Sequence, residues 1–196
     1  MNCTGQTDLR VTGVISSSLL ALALSFLALG QPPSKSWLDR PAYDWNRGLS
    51  SLPYPDKSYE HDVKCNSFAK RPTTRGESLI VARGWKIFES ETIGRMRLVT
   101  AASAITYQCR AMGYQVIVLW DDQFLGTLSP ILMDSRADSS IAKWDASDVS
   151  VSVRFVRFSA EDPNCCPSRF QIVKFELVDG AKPQLLLRNK AQPRGE

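Results

Sequence analysis

Apolar and polar positions change rhythm twice along this chain. Residues 11–30 are almost wholly apolar or small, residues 31–64 follow no period, and from about residue 73 a short helix-period block gives way to strand-period blocks. Thr73-Thr74-Arg75-Gly76-Glu77 predicts a helix start, with Thr74 as the cap and Glu77 three residues on as a capping box. Leu79, Ile80 and Ala82 continue the helix, and Gly84 supplies the residue that stops it after about two turns. A helix that short needs a sheet to pack on.

Beyond it the pattern is β. Residues 85–88 and 96–100 flank a hairpin around Gly94, and residues 114–120 are apolar on both faces, as in a central strand. Asp121-Asp122-Gln123 turns the chain into a strand over 124–128. Val149, Val151, Val153 and Phe155 alternate onto one face, with Arg157 falling in phase with them and marking a strand end or a bulge. Val173, Phe175 and Leu177 share a face, and Asp179-Gly180 turns Leu185, Leu186 and Leu187 back onto that strand. The expected fold is α+β: a mainly antiparallel β-sheet with one short helix.

The apolar run at residues 19–29 has the length of a signal-peptide core and falls short of the ~20 strongly apolar residues that a bilayer span requires. Ala28-Leu29-Gly30 presents small residues for cleavage, so residues 1–30 read as a signal peptide. Left uncleaved, the same segment would anchor the chain in the membrane. No cysteine follows the run to accept a lipid, and Cys3 precedes it. The expected location is exported, periplasmic or extracellular. Residues 31–64 carry Pro32, Pro33, Pro41, Pro53 and Pro55 and read as a Pro-rich arm or linker. Trp37, Tyr43 and Trp45 argue that part of this arm packs against something. Residues 65–188 form the expected domain, and residues 189–196 a flexible, solvated tail.

The net charge of the 196 residues is only +4. The cations are scattered with no basic stripe interleaved with aromatics, which argues against a nucleic-acid partner. Cysteine changes the picture more. After export four remain, Cys65, Cys109, Cys165 and Cys166, and they allow three pairings. A bond within Cys165-Cys166 would join Cα atoms about 3.8 Å apart, below the usual disulfide range of ~4.4–6.8 Å. The crossed pairings, in which Cys65 and Cys109 each reach one of the adjacent pair, avoid this, and two long-range disulfides are expected. A vicinal redox pair is the alternative. Adjacent cysteines lack the spacing of a structural zinc site, and no cofactor or metal is expected. A thiol nucleophile would have to use His61, the chain's only histidine, from within the Pro-rich arm.

The candidate chemistry is thin. Asp121 and Asp122 fit a turn better than a paired-carboxylate site, and residues 134–138 lack the spacing of a calcium loop. Neither Ser129 nor Ser168 sits in a nucleophile elbow. Met133-Asp134-Ser135-Arg136 is an arginine-bearing loop able to contact an anionic ligand such as a wall polymer or a lipid headgroup, unless Arg136 instead pairs with Asp134 or Asp138. Trp85 and Trp120 read as core, while Trp144 is the best candidate for an exposed ring against a sugar or peptide. The candidate ligand-contacting residues are therefore Asp134, Arg136, Asp138 and Trp144, with no catalytic residue.

Four stretches carry a family resemblance: the segment from Gln108-Cys109-Arg110 to Gln115, Phe124-Leu125-Gly126-Thr127, Met133-Asp134-Ser135-Arg136, and Asp162-Pro163-Asn164-Cys165-Cys166-Pro167-Ser168. Together they resemble the bacterial LppP/LprE lipoprotein family over residues 65–177. The resemblance implies an exported envelope protein of unknown biochemical activity and supplies no catalytic residues. The expected function is a non-catalytic structural or interaction module with an envelope component as partner. The alternative is a binder of a small anionic ligand or an envelope polysaccharide.

Overall fold

A computed structural model describes residues 36–60, 62–163, 165–180 and 182–195. Residues 1–30, expected from the sequence to be a signal peptide, and His61 lie outside the described residues. The strands are β1 (Lys86–Ile93), β2 (Met96–Ile105), β3 (Ala111–Trp120), β4 (Gln123–Thr127), β5 (Ile141–Ala146), β6 (Ser150–Arg157), β7 (Arg169–Val178), β8 (Gln184–Lys190) and the short β9 (Arg194–Gly195). They make two antiparallel sheets, ordered β1-β2-β3-β4 and β5-β6-β7-β8, with β9 paired to β7.

The two sheets face each other across one core. Met96, Leu98, Val116 and Val118 from the first sheet meet Val151, Val153, Phe155, Val173 and Phe175 from the second. Side chains alternate with period two along each strand, so each sheet has a second face. On the first sheet that face is apolar too: Ile87, Val99, Ala101, Ile117 and Leu119 pack under Ile80 and Trp85. This is why β3 is buried along both faces. Helix α1 (Arg75–Ala82) covers it. Thr74 Oγ1 accepts from Glu77 N at 3.3 Å, and Glu77 Oε2 accepts from Thr73 N at 2.6 Å, so the box closes one residue earlier than in its simplest form. Gly84, with φ +101°, terminates the helix.

Sharp turns set the strand register. Asp121 and Asp122 have φ of 48° and 62°, the left-handed pair of a tight hairpin between β3 and β4. Asp121 pairs with Arg95 across the neighbouring turn. The two aspartates therefore serve the turn.

The arm packs into the molecule. Trp37 and Leu38 are buried, and the Trp37 ring meets Phe155 edge-on with centroids 5.1 Å apart. Lys190 donates to the carbonyls of Trp37, Leu38 and Arg40. Asn46 acts as a substitute strand residue beside β4: its carboxamide accepts from Thr127 N at 2.9 Å and donates to Thr127 O at 3.2 Å. A Cβ on Gly126 would lie 2.5 Å from Asn46 Oδ1, which explains why the Phe124-Leu125-Gly126-Thr127 motif needs glycine there.

Two disulfides form, but the crossed pairing is overturned. Cys65 bonds Cys109, with Cα atoms 5.2 Å apart, and Cys165 bonds Cys166, with Cα atoms 3.8 Å apart. Topology supplies the reason. Cys65 lies in the 3-10 turn Val63–Phe68, which is tied to the end of β2 by Asp62 N donating to Ile105 O at 2.8 Å. Cys109 sits in the β2–β3 turn a few residues on, with φ 57°. Cys165 and Cys166 occupy the β6–β7 turn of the other sheet. The sequence places all four in loops but does not say which hairpin ends meet.

Candidate functional site

The segment from β4 to β5 crosses from one sheet to the other, and its polar residues fasten it to both. Met133 and Tyr114 exchange backbone hydrogen bonds of 2.9 and 2.7 Å, extending the pairing of β3. Asp134 Oδ1 then accepts from Gly113 N at 2.8 Å, and Ser135 Oγ donates to Ala111 O at 2.8 Å. On the far side Asp138 Oδ1 accepts from Phe158 N at 2.9 Å and from Arg157 Nε at 3.2 Å. Ser139 and Ser140 exchange backbone bonds with Val156, both 2.8 Å long.

Both aspartates are thus spent as acceptors for other groups. Arg136 stands between them at φ 71°, exposed and without an ion pair among the described residues. The alternative in which Arg136 pairs with Asp134 or Asp138 does not form. The loop is stitched down at both ends and projects its one cation.

Trp144 comes from β5, the edge strand of the second sheet, opposite Val153 and on the core side. Its indole Nε1 donates to Glu91 Oε2 on β1 at 2.9 Å, so the ring bridges the open edge between the sheets. The ring is half-buried and packs partly on the core. Arg136 and Trp144 line one cleft of about 350 Å³ together with Phe88, Thr100, Tyr114 and Ile141. Among the described residues, Thr100 Oγ1 is buried there with no hydrogen-bond partner. Burial pushes the Tyr114 hydroxyl up to about 12, so it stays neutral while accepting from Ile141 N at 2.8 Å. Glu89 also lines the cleft and offsets the charge of Arg136. Of the four candidate residues, then, the fold gathers Arg136 and Trp144 at one cleft and uses Asp134 and Asp138 to hold the loop. Among the described residues no cluster of His, Cys, Asp and Glu could hold a metal ion.

Two features escaped sequence reasoning. One is β5 itself, whose residues 141–146 show no clean alternation because the register shifts between Ile141 and Lys143. The other is the burial and bonding of Arg157, which the sequence marked as a strand end or a bulge. It ends β6 without a bulge, buried on the core face, and its guanidinium donates to Asp39 at 2.8 Å, Asp138 at 3.2 Å and Gln171 Oε1 at 2.7 Å. A cation in phase with Val151, Val153 and Phe155 was the available signal, since a buried charge must meet partners.

The Cys165–Cys166 turn is organised by Asp162. Its carboxylate accepts from the amide and hydroxyl of Ser159, at 2.8 and 2.7 Å, and from those of Ser168, at 2.9 and 3.0 Å. These bonds, led by the Ser159 amide, hold Asp162 well below the usual carboxylate range. A depressed folded pKa means that the stabilisation is fully present above the ordinary carboxylate value and is lost only as pH falls through the lower one. An NMR titration should therefore find Asp162 ionised at a pH where exposed carboxylates are half-protonated, about 4. A midpoint near that ordinary value would refute the arrangement.

Three motifs of the resemblance thus have defined structural jobs: Gly126 admits Asn46, Asp134 anchors the loop, and Asp162 shapes the disulfide turn. Residues 96–180 match the family model described as LppP/LprE lipoprotein. The matched segment runs from β2 to the end of β7 and contains the cleft loop, Trp144 and the Cys165–Cys166 turn. Cys65 and α1 lie outside it. The match supports the family resemblance that the motifs carry. No curated protein and no solved structure matches the chain. No helix among the described residues is long and apolar enough to cross a membrane.

Proposed function

We propose that this protein is a non-catalytic interaction module of the cell envelope. The observation that carries the reading is how the polar side chains of the β4–β5 segment are used. Asp134 and Asp138 accept hydrogen bonds that build the loop, and the loop presents Arg136 beside the Trp144 ring. That arrangement suits recognition: a cation and an apolar face presented together on a rigid frame. The test is turnover of generic ester, peptide and glycoside substrates. Steady hydrolysis abolished by one point substitution in the cleft would refute the non-catalytic reading.

The cleft favours a second reading, the binding of a small anionic ligand or an envelope polysaccharide. Arg136 supplies a charged donor, Thr100 an unsatisfied hydroxyl, and Trp144 a face on which a sugar ring can stack, its N–H being occupied by Glu91. Binding followed by calorimetry should weaken about tenfold in Trp144→Ala and about fivefold in Arg136→Ala, the losses expected for one stacking face and one charged hydrogen bond. Unchanged affinity in both variants would rule out the cleft as the site.

A further inference from the structure

A second concavity lies on the other side of β5. Trp144 lines it as well, together with Lys143, Asp145, Arg154, Phe170 and Arg194, and its volume is about 560 Å³. It opens on the face of the second sheet turned away from the core, walled by β7 and by the chain after β8. Ala191 N donates to Ile172 O at 2.9 Å, and β9 pairs with Arg169 and Phe170, so the wall is fixed by backbone hydrogen bonds. The Arg154 guanidinium stacks 3.7 Å above the Phe170 ring, which holds that cation in place at the floor. Among the described residues, the exposed cations Lys143 and Arg194 line the groove against one carboxylate, Asp145, while Arg154 is engaged at the floor. The cleft on the other side of β5, by contrast, sets one cation against one carboxylate.

We infer that the groove binds the acidic groups of an anionic polysaccharide whose chain crosses edge strand β5 at Trp144 and continues into the cleft. This rests on the polysaccharide reading of the cleft and extends it by naming the ligand as acidic and polymeric. Two arguments favour that occupant. The cavities share Trp144 as a common wall, so one extended chain reaches both, and linked sites raise affinity with chain length in a way a monomeric anion cannot exploit. The excess positive charge is recessed in a concave, preformed groove that also offers Ser152 and Gln192 to sugar hydroxyls. A membrane surface is better met by cations on a flat or protruding face.

Oligogalacturonates serve as the probe, titrated against the folded protein by calorimetry and compared with neutral malto-oligosaccharides of equal length. The octasaccharide should bind more tightly than the disaccharide, weaken as salt is raised, and have no neutral counterpart that binds as well. The double variant Lys143→Ser/Arg194→Ser changes only exposed side chains. It should lose about five- to tenfold in octasaccharide affinity, together with much of the salt dependence, while disaccharide binding is unchanged. If the octasaccharide binds this variant as tightly as wild type but binds Arg136→Ala more weakly, the groove inference is wrong and the cleft reading stands. If the groove variant loses binding while Arg136→Ala and Trp144→Ala do not, the chain neither crosses at Trp144 nor enters the cleft, and the inference as stated is overturned together with the cleft reading. Absence of octasaccharide binding to wild type, or tighter binding to phosphatidylglycerol vesicles than to the octasaccharide, overturns the inference.

Discussion

Replacing Cys65 and Cys109 together by serine should lower stability by about 3–4 kcal/mol, whereas replacing Cys165 and Cys166 together should cost about 1 kcal/mol or less. The difference follows from which loop each bridge closes. Cys65 and Cys109 are 44 residues apart, and joining them removes much of the freedom of the unfolded chain that spans α1, β1 and β2. Cys165 and Cys166 are neighbours already, so their bond restricts almost nothing that the peptide link leaves free. Urea unfolding of the two double variants measures both values. The comparison also discriminates between pairings. With crossed bridges either double variant would remove both disulfides, and the two losses would be equal and large. Equal losses would therefore refute the observed connectivity, as would peptide mapping under non-reducing conditions that recovered Cys65 linked to the Cys165-Cys166 peptide.

Arg157→Ala should cost about 3 kcal/mol, the low end for breaking a buried ion pair. The guanidinium side chain is only 9% exposed, but its partners Asp39 and Asp138 are 38% and 37% exposed and regain some water once the cation is gone. Gln171 Oε1 is left in a buried site without its donor. The consequences reach beyond stability, because Arg157 joins three segments distant in sequence: the arm through Asp39, the cleft loop through Asp138, and β7 through Gln171. A double-mutant cycle of Arg157→Ala with Asp39→Ala should show coupling of about 1 kcal/mol or more, and Arg157→Ala should weaken ligand binding at Arg136 although it does not line the cleft. Additive effects in the cycle, or a loss under about 1 kcal/mol for the single variant, would show that the cluster is not holding these segments together.

Local signals carried much of this fold. Thr74 and Gly84 bound the helix because capping and termination are settled within a few residues. The β2, β3, β6 and β7 strands were legible because a half-buried or fully buried strand writes its period directly into the sequence. The turn at Asp121-Asp122 was legible because aspartates tolerate the left-handed conformation that a tight hairpin needs. Trp85 and Trp120 read as core and are buried. What failed depended on distance. β5 was missed because an edge strand with an irregular register has no clean alternation. Arg157 was seen to be out of character on its face, but its partner Asp39 lies 118 residues away. At the cleft, Arg136 and Trp144 could be picked as residue types. Their meeting at one cavity, and the loss of Asp134 and Asp138 to structural bonds, could not.

By itself the sequence determined that this is a mainly antiparallel β protein with one capped helix, four cysteines beyond the N-terminal apolar run available for two bridges, and motifs that resemble those of an envelope lipoprotein family. These are properties of neighbouring residues, governed by backbone geometry, side-chain period and chemical type. Only the tertiary structure decided that the strands divide into two facing sheets, that Cys65 finds Cys109, and that Arg136 and Trp144 share a cleft while Lys143 and Arg194 share a groove behind it. Those outcomes depend on which strand edges and hairpin ends come together. Many arrangements satisfy the local rules equally well, and the choice among them is made by the collective packing of the core.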